Sequence, residues 1–390
     1  MTERPEPSES PEPSLGARTR LWLSDWWMTT VLRNGRLIAF VLTAIVAFAA
    51  VHPGPGSNKP PSSYSDETGG RTVPLALGVT VFSMWRDWDE HERWFQQAAE
   101  SGSKWLRVDV GWCSLEESGP GLISQWYQGR LDVTADTAEK LGMKLVVQLG
   151  CAPKWAGGNG FNDYPTDPGQ FQRIARYLAD RYKGRVAAWE IWNEPNCIGG
   201  CGNGSPDQFV AVLKAGYRGI KAGDPEVPVV SGGVSGNDVN WLRRMYAAGG
   251  AGSFDALAVH PYQDPATAAP DAPSQGSTYR LSTLPMVHRL MIANGDGDKP
   301  IWLTEFGWTT AKTGPRPGVD DDTQARYLQD AVRQIRSQYP YVTHAFWFCL
   351  RDRDDSTPYE NNFGLLHVRG SPKPAFAAMQ KTNADLLENR

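Results

Sequence analysis

The sequence predicts a (β/α)8 TIM barrel: one α/β domain that follows an N-terminal membrane or signal segment. Three observations lead there. Short apolar runs alternate eight times with amphipathic helical stretches, the pattern of parallel strands joined by helical crossovers. Eight such units in about 320 residues suit a closed barrel better than an open, doubly wound sheet. No Gly-x-Gly-x-x-Gly follows the first run, so no dinucleotide cradle opens the domain.

The first run is Leu75–Phe82, with a helix near Glu90–Ala99; Trp105–Val110 follows, with a helix near Val133–Leu141. Lys144–Leu149 leads to a helix over Pro168–Tyr182. Val186–Asn193 precedes a helix announced by Ser205-Pro206-Asp207, a capping residue followed by proline at the first helical position. The fifth run is Val227–Ser231 with a helix near Val239–Ala247, and the sixth is Ala256–His260 with one near Thr283–Ala293. Pro300–Thr304 leads to the amphipathic stretch Asp322–Ser337, and Thr343–Leu350 to a last helix over Pro374–Leu387. A barrel of this kind carries its active site at the carboxyl ends of the strands.

The chain ahead of the barrel divides into three segments. Residues 1–36 begin with a Pro-, Glu- and Ser-rich tract that buries too little to fold, and they are expected to be disordered. Leu37–Val51 is an apolar run broken only by Thr43, short for a full membrane span but long enough for a signal-peptide core. Arg18, Arg20, Arg33 and Arg36 precede it, which puts the amino-terminal side in the cytoplasm and the barrel outside. Cleavage after Ala47-Phe48-Ala49 and retention as a signal anchor both stay open, and the long extension favours the anchor. Residues 52–71 read as a Pro/Gly/Ser-rich linker, and residues 72–390 as the barrel. The expected location is therefore extracytoplasmic, membrane-anchored or secreted.

A formal net charge of -4 gives no electrostatic footprint for nucleic acid. The chain has 16 tryptophans, and indole offers the best flat apolar face to a sugar ring, although most must serve packing. Among the five cysteines, Cys113 and Cys151 each follow a strand and would pair if those strands are neighbours. Cys197 and Cys201 could close a small loop, and Cys349 reads as a buried free thiol. With no Cys-x-x-Cys pair and no His-x-x-x-His spacing, no metal site and no cofactor are expected.

Two acidic residues stand at strand ends: Glu194 after the fourth run and Glu305 after the seventh, facing each other across the barrel mouth. Paired carboxylates suit glycosidic bond cleavage, which needs one protonated carboxyl to release the leaving oxygen and one ionised carboxyl to meet the sugar carbon. A neighbouring negative charge is expected to raise the pKa of the acid. Asp109, Glu116, Glu117 and Asp352 are further carboxylates without such placement.

Asn193-Glu194-Pro195 ending the fourth strand and Thr304-Glu305-Phe306-Gly307 ending the seventh resemble clan A of the glycoside hydrolases. Members of that clan are (β/α)8 retaining enzymes with the strand-four Glu as acid/base and the strand-seven Glu as nucleophile. Pro153-Lys154-Trp155-Ala156 and His260-Pro261-Tyr262 look most like glycoside hydrolase family 39. Family 5, which includes cellulases, is the neighbour; its usual strand-three histidine is missing from Gln148-Leu149-Gly150. The resemblance implies Glu194 as proton donor, Glu305 as nucleophile and Asn193 on the sugar 2-hydroxyl. It also implies that Arg107 steadies Glu305, that His260 and Tyr262 approach it, and that Trp347 floors the cleaved sugar's subsite. Trp112, Trp155 and Trp308 follow strands and are expected at outer subsites.

The expected function is a retaining glycosidase acting on an extracellular or cell-envelope polysaccharide or glycoconjugate, with oligosaccharides as partners. A transglycosidase, a non-catalytic carbohydrate-binding barrel and a Schiff-base enzyme using Lys154 are the alternatives.

Overall fold

The computed structural model describes residues 74–160, 162–198, 204–354 and 357–388. The segments expected to be disordered, membrane-inserted and linking, as well as Cys201, lie outside them. No helix among the described residues is long and apolar enough to cross a membrane.

Strands β1 (Ala76–Thr80), β2 (Trp105–Gly111), β3 (Lys144–Gly150), β4 (Val186–Ile191), β5 (Val229–Val230), β6 (Val234–Ser235), β7 (Leu257–His260), β8 (Ile301–Phe306) and β9 (Val342–Trp347) form one sheet. Its order is β5-β4-β3-β2-β1-β9-β8-β7-β6, and every pairing is parallel. β5 lies in the fifth run and β6 just beyond it, and the two share the fifth stave: β5 pairs with β4, β6 pairs with β7, and bridges join Asn193 to Gly233 and Val230 to Ala256. The sheet thus curls onto itself as a TIM-barrel-like fold. β7, β8 and β9 are its sixth, seventh and eighth staves.

The split of the fifth stave differs from the single run expected, and glycine explains it. A Cβ on Gly233 would lie 2.1 Å from Nε2 of His260 and 2.7 Å from Oγ1 of Thr304. The backbone must pass that close to the imidazole, so only glycine fits.

Alternation sorts the strand residues into two layers. Val146, Ala188, Val230, Ala256, Ala258, Trp302 and Phe346 make a small apolar cluster inside the barrel. Leu145, Val147, Trp189, Ile191, Leu257, Leu303 and Trp347 belong to the larger layer between staves and helices. Each fully buried aliphatic or aromatic side chain there contributes roughly 1.5–3 kcal/mol.

The helices are α1 (His91–Glu100), α2 (Trp112–Leu115), α3 (Gln125–Lys140), α4 (Pro168–Arg181), α5 (Pro206–Gly223), α6 (Val239–Ala247), α7 (Leu284–Ala293), α8 (Asp321–Gln338), α9 (Pro358–Asn361) and α10 (Pro374–Glu388). Asp167, Ser205, Asp238 and Asp320 cap α4, α5, α6 and α8 through side-chain oxygens, each worth ~1 kcal/mol. α3 starts well before the helix expected from Val133, because Ser124 caps it by accepting from the Tyr127 amide at 3.3 Å.

β2 and β3 are neighbours, and Cys113 and Cys151 at their ends form a disulfide. Cys349 is a buried free thiol whose pKa burial pushes up to about 12. Cys197 is disulfide-bonded.

Candidate active site

Directly above the apolar cluster, the inward positions turn polar. Arg107 on β2 is 3% exposed and spends its guanidinium on three partners. Nε donates to Glu190 at 2.6 Å, Nη1 to Glu305 at 2.9 Å and Nη2 to the Asn193 side-chain oxygen at 2.8 Å. Burial disfavours the cation, but Glu190 and Glu305 more than offset it and raise its pKa. Asn193 therefore has its oxygen committed, which leaves its NH2 as the group available to a ligand.

Glu190 was not singled out from the sequence, yet it is fully buried at the centre of this layer. Its Oε1 accepts from the Gly233 amide at 3.1 Å and from the Thr304 hydroxyl at 2.8 Å. The available signal was an acid inside the apolar run Val186–Asn193, since a buried charge demands a buried partner.

Those bonds fix the state of His260. The one Thr304 proton goes to Glu190, so Thr304 Oγ1, 3.0 Å from His260 Nε2, must accept from it. Nε2 is thus protonated, and Nδ1 faces Glu194 Oε1 at 3.0 Å. A single proton in that last contact satisfies both atoms. Burial lowers the His260 pKa, but the Glu305 and Glu194 carboxylates outweigh it and raise it. For Glu194, burial pushes upward and the His260 hydrogen bond and charge push further down, so its carboxyl sits below the usual value. The raised acid expected from paired carboxylates alone is reversed by the imidazole.

Glu194 is aimed by its backbone. Trp192 and Glu194 both take left-handed conformations, with φ of 71° and 41°. Such residues cost ~1–3 kcal/mol each and persist where their surroundings hold them. Trp192 is held by its indole N–H donating to the Asn162 carbonyl at 3.1 Å and by Phe171, 5.6 Å away in ring centroids. The Glu194 amide donates to the Gly233 carbonyl at 2.9 Å. Asn196 fastens the following turn: its side chain donates to the Ser235 carbonyl at 3.0 Å and accepts from the Ser235 amide at 2.9 Å.

Glu305, at the end of β8, is 7% exposed. Besides Arg107, the Tyr262 hydroxyl donates to its Oε2 at 2.7 Å. Burial and the Glu305 charge push the Tyr262 pKa well up, so the phenol stays a donor. One donor-capable atom each of Glu194, His260 and Glu305 lies within 4.8 Å of the others. That trio could face a cation, but Arg107 already supplies positive charge to Glu305 at 2.9 Å.

A cavity of about 750 Å3 opens over this layer, lined among others by Arg107, Asn193, Glu194, Tyr262 and Glu305. His260 stands directly behind Glu194 and Glu305. The tryptophans expected at subsites are elsewhere. Trp347 is fully buried and donates to the Phe363 carbonyl at 2.9 Å, because strand alternation turns it outward from Phe346. Phe348, the next inward position, lines the cavity instead, with Phe82 and Phe363. Trp308 is 2% exposed, donates to the Ala268 carbonyl and packs on Tyr327. Trp155 packs edge-on against the buried Trp112 and donates to the Glu116 carbonyl. Lys154 is exposed and does not line the cavity, which removes the basis of a Schiff-base reading.

Comparison with known proteins agrees with this arrangement. The family model for cellulase, glycosyl hydrolase family 5, matches residues 66–349. A β-xylosidase of Caldicellulosiruptor saccharolyticus is 23% identical over 73% of this chain and 62% of its own length. A probable mannan endo-1,4-β-mannosidase of Aspergillus terreus is 30% identical over 27% of this chain, which spans about a third (34%) of that relative. Among solved structures, a family 39 glycoside hydrolase from Bacteroides cellulosilyticus superposes with a TM-score of 0.66 at 26% identity, over 82% of this chain and 65% of that one. A GH5_18 protein from Streptomyces cattleya gives a TM-score of 0.63 at 17% identity over 82% of each chain. Both families named from the motifs are therefore represented, and the family match is to family 5. The chain spans less than two thirds of the length of the curated relatives it matches, and it belongs to the cellulase family, glycosyl hydrolase family 5, of clan A.

Proposed function

We propose that the protein is a glycosidase that works by double displacement with retention, Glu305 as nucleophile and Glu194 as acid/base, on a β-linked polysaccharide or glycoconjugate outside the cytoplasm. The observation that carries the mechanism is the close approach of the two carboxylates, with oxygens within 4.8 Å of each other. Retaining enzymes hold them at ~5–5.5 Å, whereas inversion needs ~6.5–9.5 Å to admit a water.

In the first step a Glu305 oxygen attacks the anomeric carbon and the bond to the leaving oxygen breaks. The proton shared by Glu194 and His260 passes to that oxygen. In the second step water attacks the same carbon, gives its proton to Glu194, and Glu305 leaves. The Asn193 NH2 is free to donate to the sugar 2-hydroxyl, a contact that strengthens in the transition state. The Tyr262 and Arg107 donors hold both Glu305 oxygens in place between steps. The β linkage is suggested by the xylosidase and mannosidase relatives. The location is supported by the Cys113–Cys151 disulfide, which persists in oxidising compartments, together with the signal-like run Leu37–Val51.

Glu305→Ala is expected to abolish both turnover of 4-nitrophenyl β-glycosides and covalent labelling by 2-fluoro glycosides. Wild-type levels of either refute the nucleophile. In the same assays Glu194→Ala should spare activated leaving groups and regain rate with azide; equal loss on activated and unactivated substrates counts against the acid.

A further inference from the structure

One acid in the cavity takes no part in the scheme above. Asp109 lies two residues beyond Arg107 on β2, hence on the same inward face one pleat closer to the mouth, and it lines the cavity. Its Oδ1 is buried and has no hydrogen-bond partner among the described residues. Arg107 directs its Nε, Nη1 and Nη2 bonds to Glu190, Glu305 and Asn193 instead. A buried carboxylate oxygen left unpaired is costly, and in a substrate cavity the missing donor belongs to the substrate.

The neighbouring stave repeats the arrangement. Gln148 pairs with Asp109 in the β2–β3 register and also lines the cavity. Gly150 leaves it room, since a Cβ there would lie 2.7 Å from the Gln148 side-chain nitrogen. Asp109 and Gln148 thus stand on β2 and β3, and Asn193 just past the end of β4, the next stave in order. Gln148 and then Asp109 are therefore the polar side chains that follow Asn193 along this wall of the cavity.

We propose that Asp109, with Gln148 beside it, recognises the glycone by accepting a hydrogen bond from a ring hydroxyl at C3 or C4 of the sugar that bonds to Glu305. The substrate class that follows is a pyranose whose hydroxyl at that position is free, not O-alkylated or O-acylated. The proposal rests on the catalytic reading above.

The test uses the full chain as wild type, Asp109→Ala and Asp109→Asn. Substrates are 4-nitrophenyl β-D-xyloside, glucoside, mannoside and galactoside, then the 3-deoxy and 4-deoxy forms of the best one. Asp109→Ala should lower kcat/KM by about 10- to 100-fold, the usual range for losing a hydrogen bond to a charged group. Wild type should lose a similar factor on one deoxy substrate, and that penalty should vanish in Asp109→Ala, because both changes delete the same bond. Asp109→Asn is nearly the same shape and keeps one accepting oxygen, so it should retain part of the penalty and serves if the alanine variant misfolds. Undiminished deoxy penalties in the variants, or wild-type kcat/KM in Asp109→Ala, overturn the proposal. Labelling by a 2-fluoro glycoside separates the two readings. A labelled wild type with additive penalties sinks the proposal alone, whereas an unlabelled, inactive wild type brings down the catalytic reading and the proposal with it.

Discussion

Glu305 and Glu194 are within 4.8 Å of each other yet live in opposite surroundings. Glu305 is gripped by donors whose own protons are not for exchange: an arginine tied to two other groups and a tyrosine whose pKa is pushed up. Glu194, with 26% of its side chain exposed, leans on one imidazole whose pKa is raised by the carboxylates beside it. One end of the barrel mouth fixes a carboxylate in position; the other couples a carboxylate to a mobile proton. The same side chain type meets two environments because the staves beneath it supply different partners.

Substitutions can break this contrast from either side. The largest effect is expected at Arg107, whose replacement by Ala leaves Glu190 charged and buried without its cation. Stability should fall by about 3–5 kcal/mol, read by denaturant unfolding, with activity lost as well. Tyr262→Phe removes one donor from Glu305 and nothing from Glu194. It should cost about 10- to 100-fold in kcat/KM with the fold unchanged by circular dichroism.

The mildest change is His260→Asn, which acts on the other side. In the wild type the shared proton is kept to a pH above the ordinary imidazole value of 6.5, because the His260 pKa is raised. Without the imidazole the carboxyl alone must hold it, so the alkaline limb of the kcat/KM profile should move to lower pH. An unmoved limb would break the idea that the pair shares the proton. The linkage to stability has opposite signs for the two partners. The His260 contribution is present below the unfolded imidazole pKa and fades as pH rises through the folded one. That of Glu194 is present above the unfolded carboxyl pKa and fades as pH falls through the lowered one.

The stave order and the positions of Glu194 and Glu305 were legible because strand runs and their ends are local patterns. What depended on non-local packing was not. Glu190 hides inside an apolar strand, and only Arg107, reached across the barrel interior, gives it meaning. The glycine pair 232–233 reads as a loop until the imidazole of His260 is placed against it. Trp347 and Phe348 differ by one position, and a single step of alternation decides which ring meets the cavity. Aromatic content alone does not say which rings are free. Trp308 and Trp155 are spent on packing, and their indole N–H groups go to backbone carbonyls.

The Cys113–Cys151 bond joins two stave ends, and Cys151 is itself part of the cavity wall. The pocket therefore carries a chemical memory of where the chain matured. A copy folded among reducing thiols would emerge with a sulfhydryl in the cavity wall and with β2 and β3, the bearers of Asp109 and Gln148, untied at their tips. Preparations from reducing and oxidising hosts would then be two forms of one sequence, alike in their carboxylates and different in how firmly the cavity wall is tied.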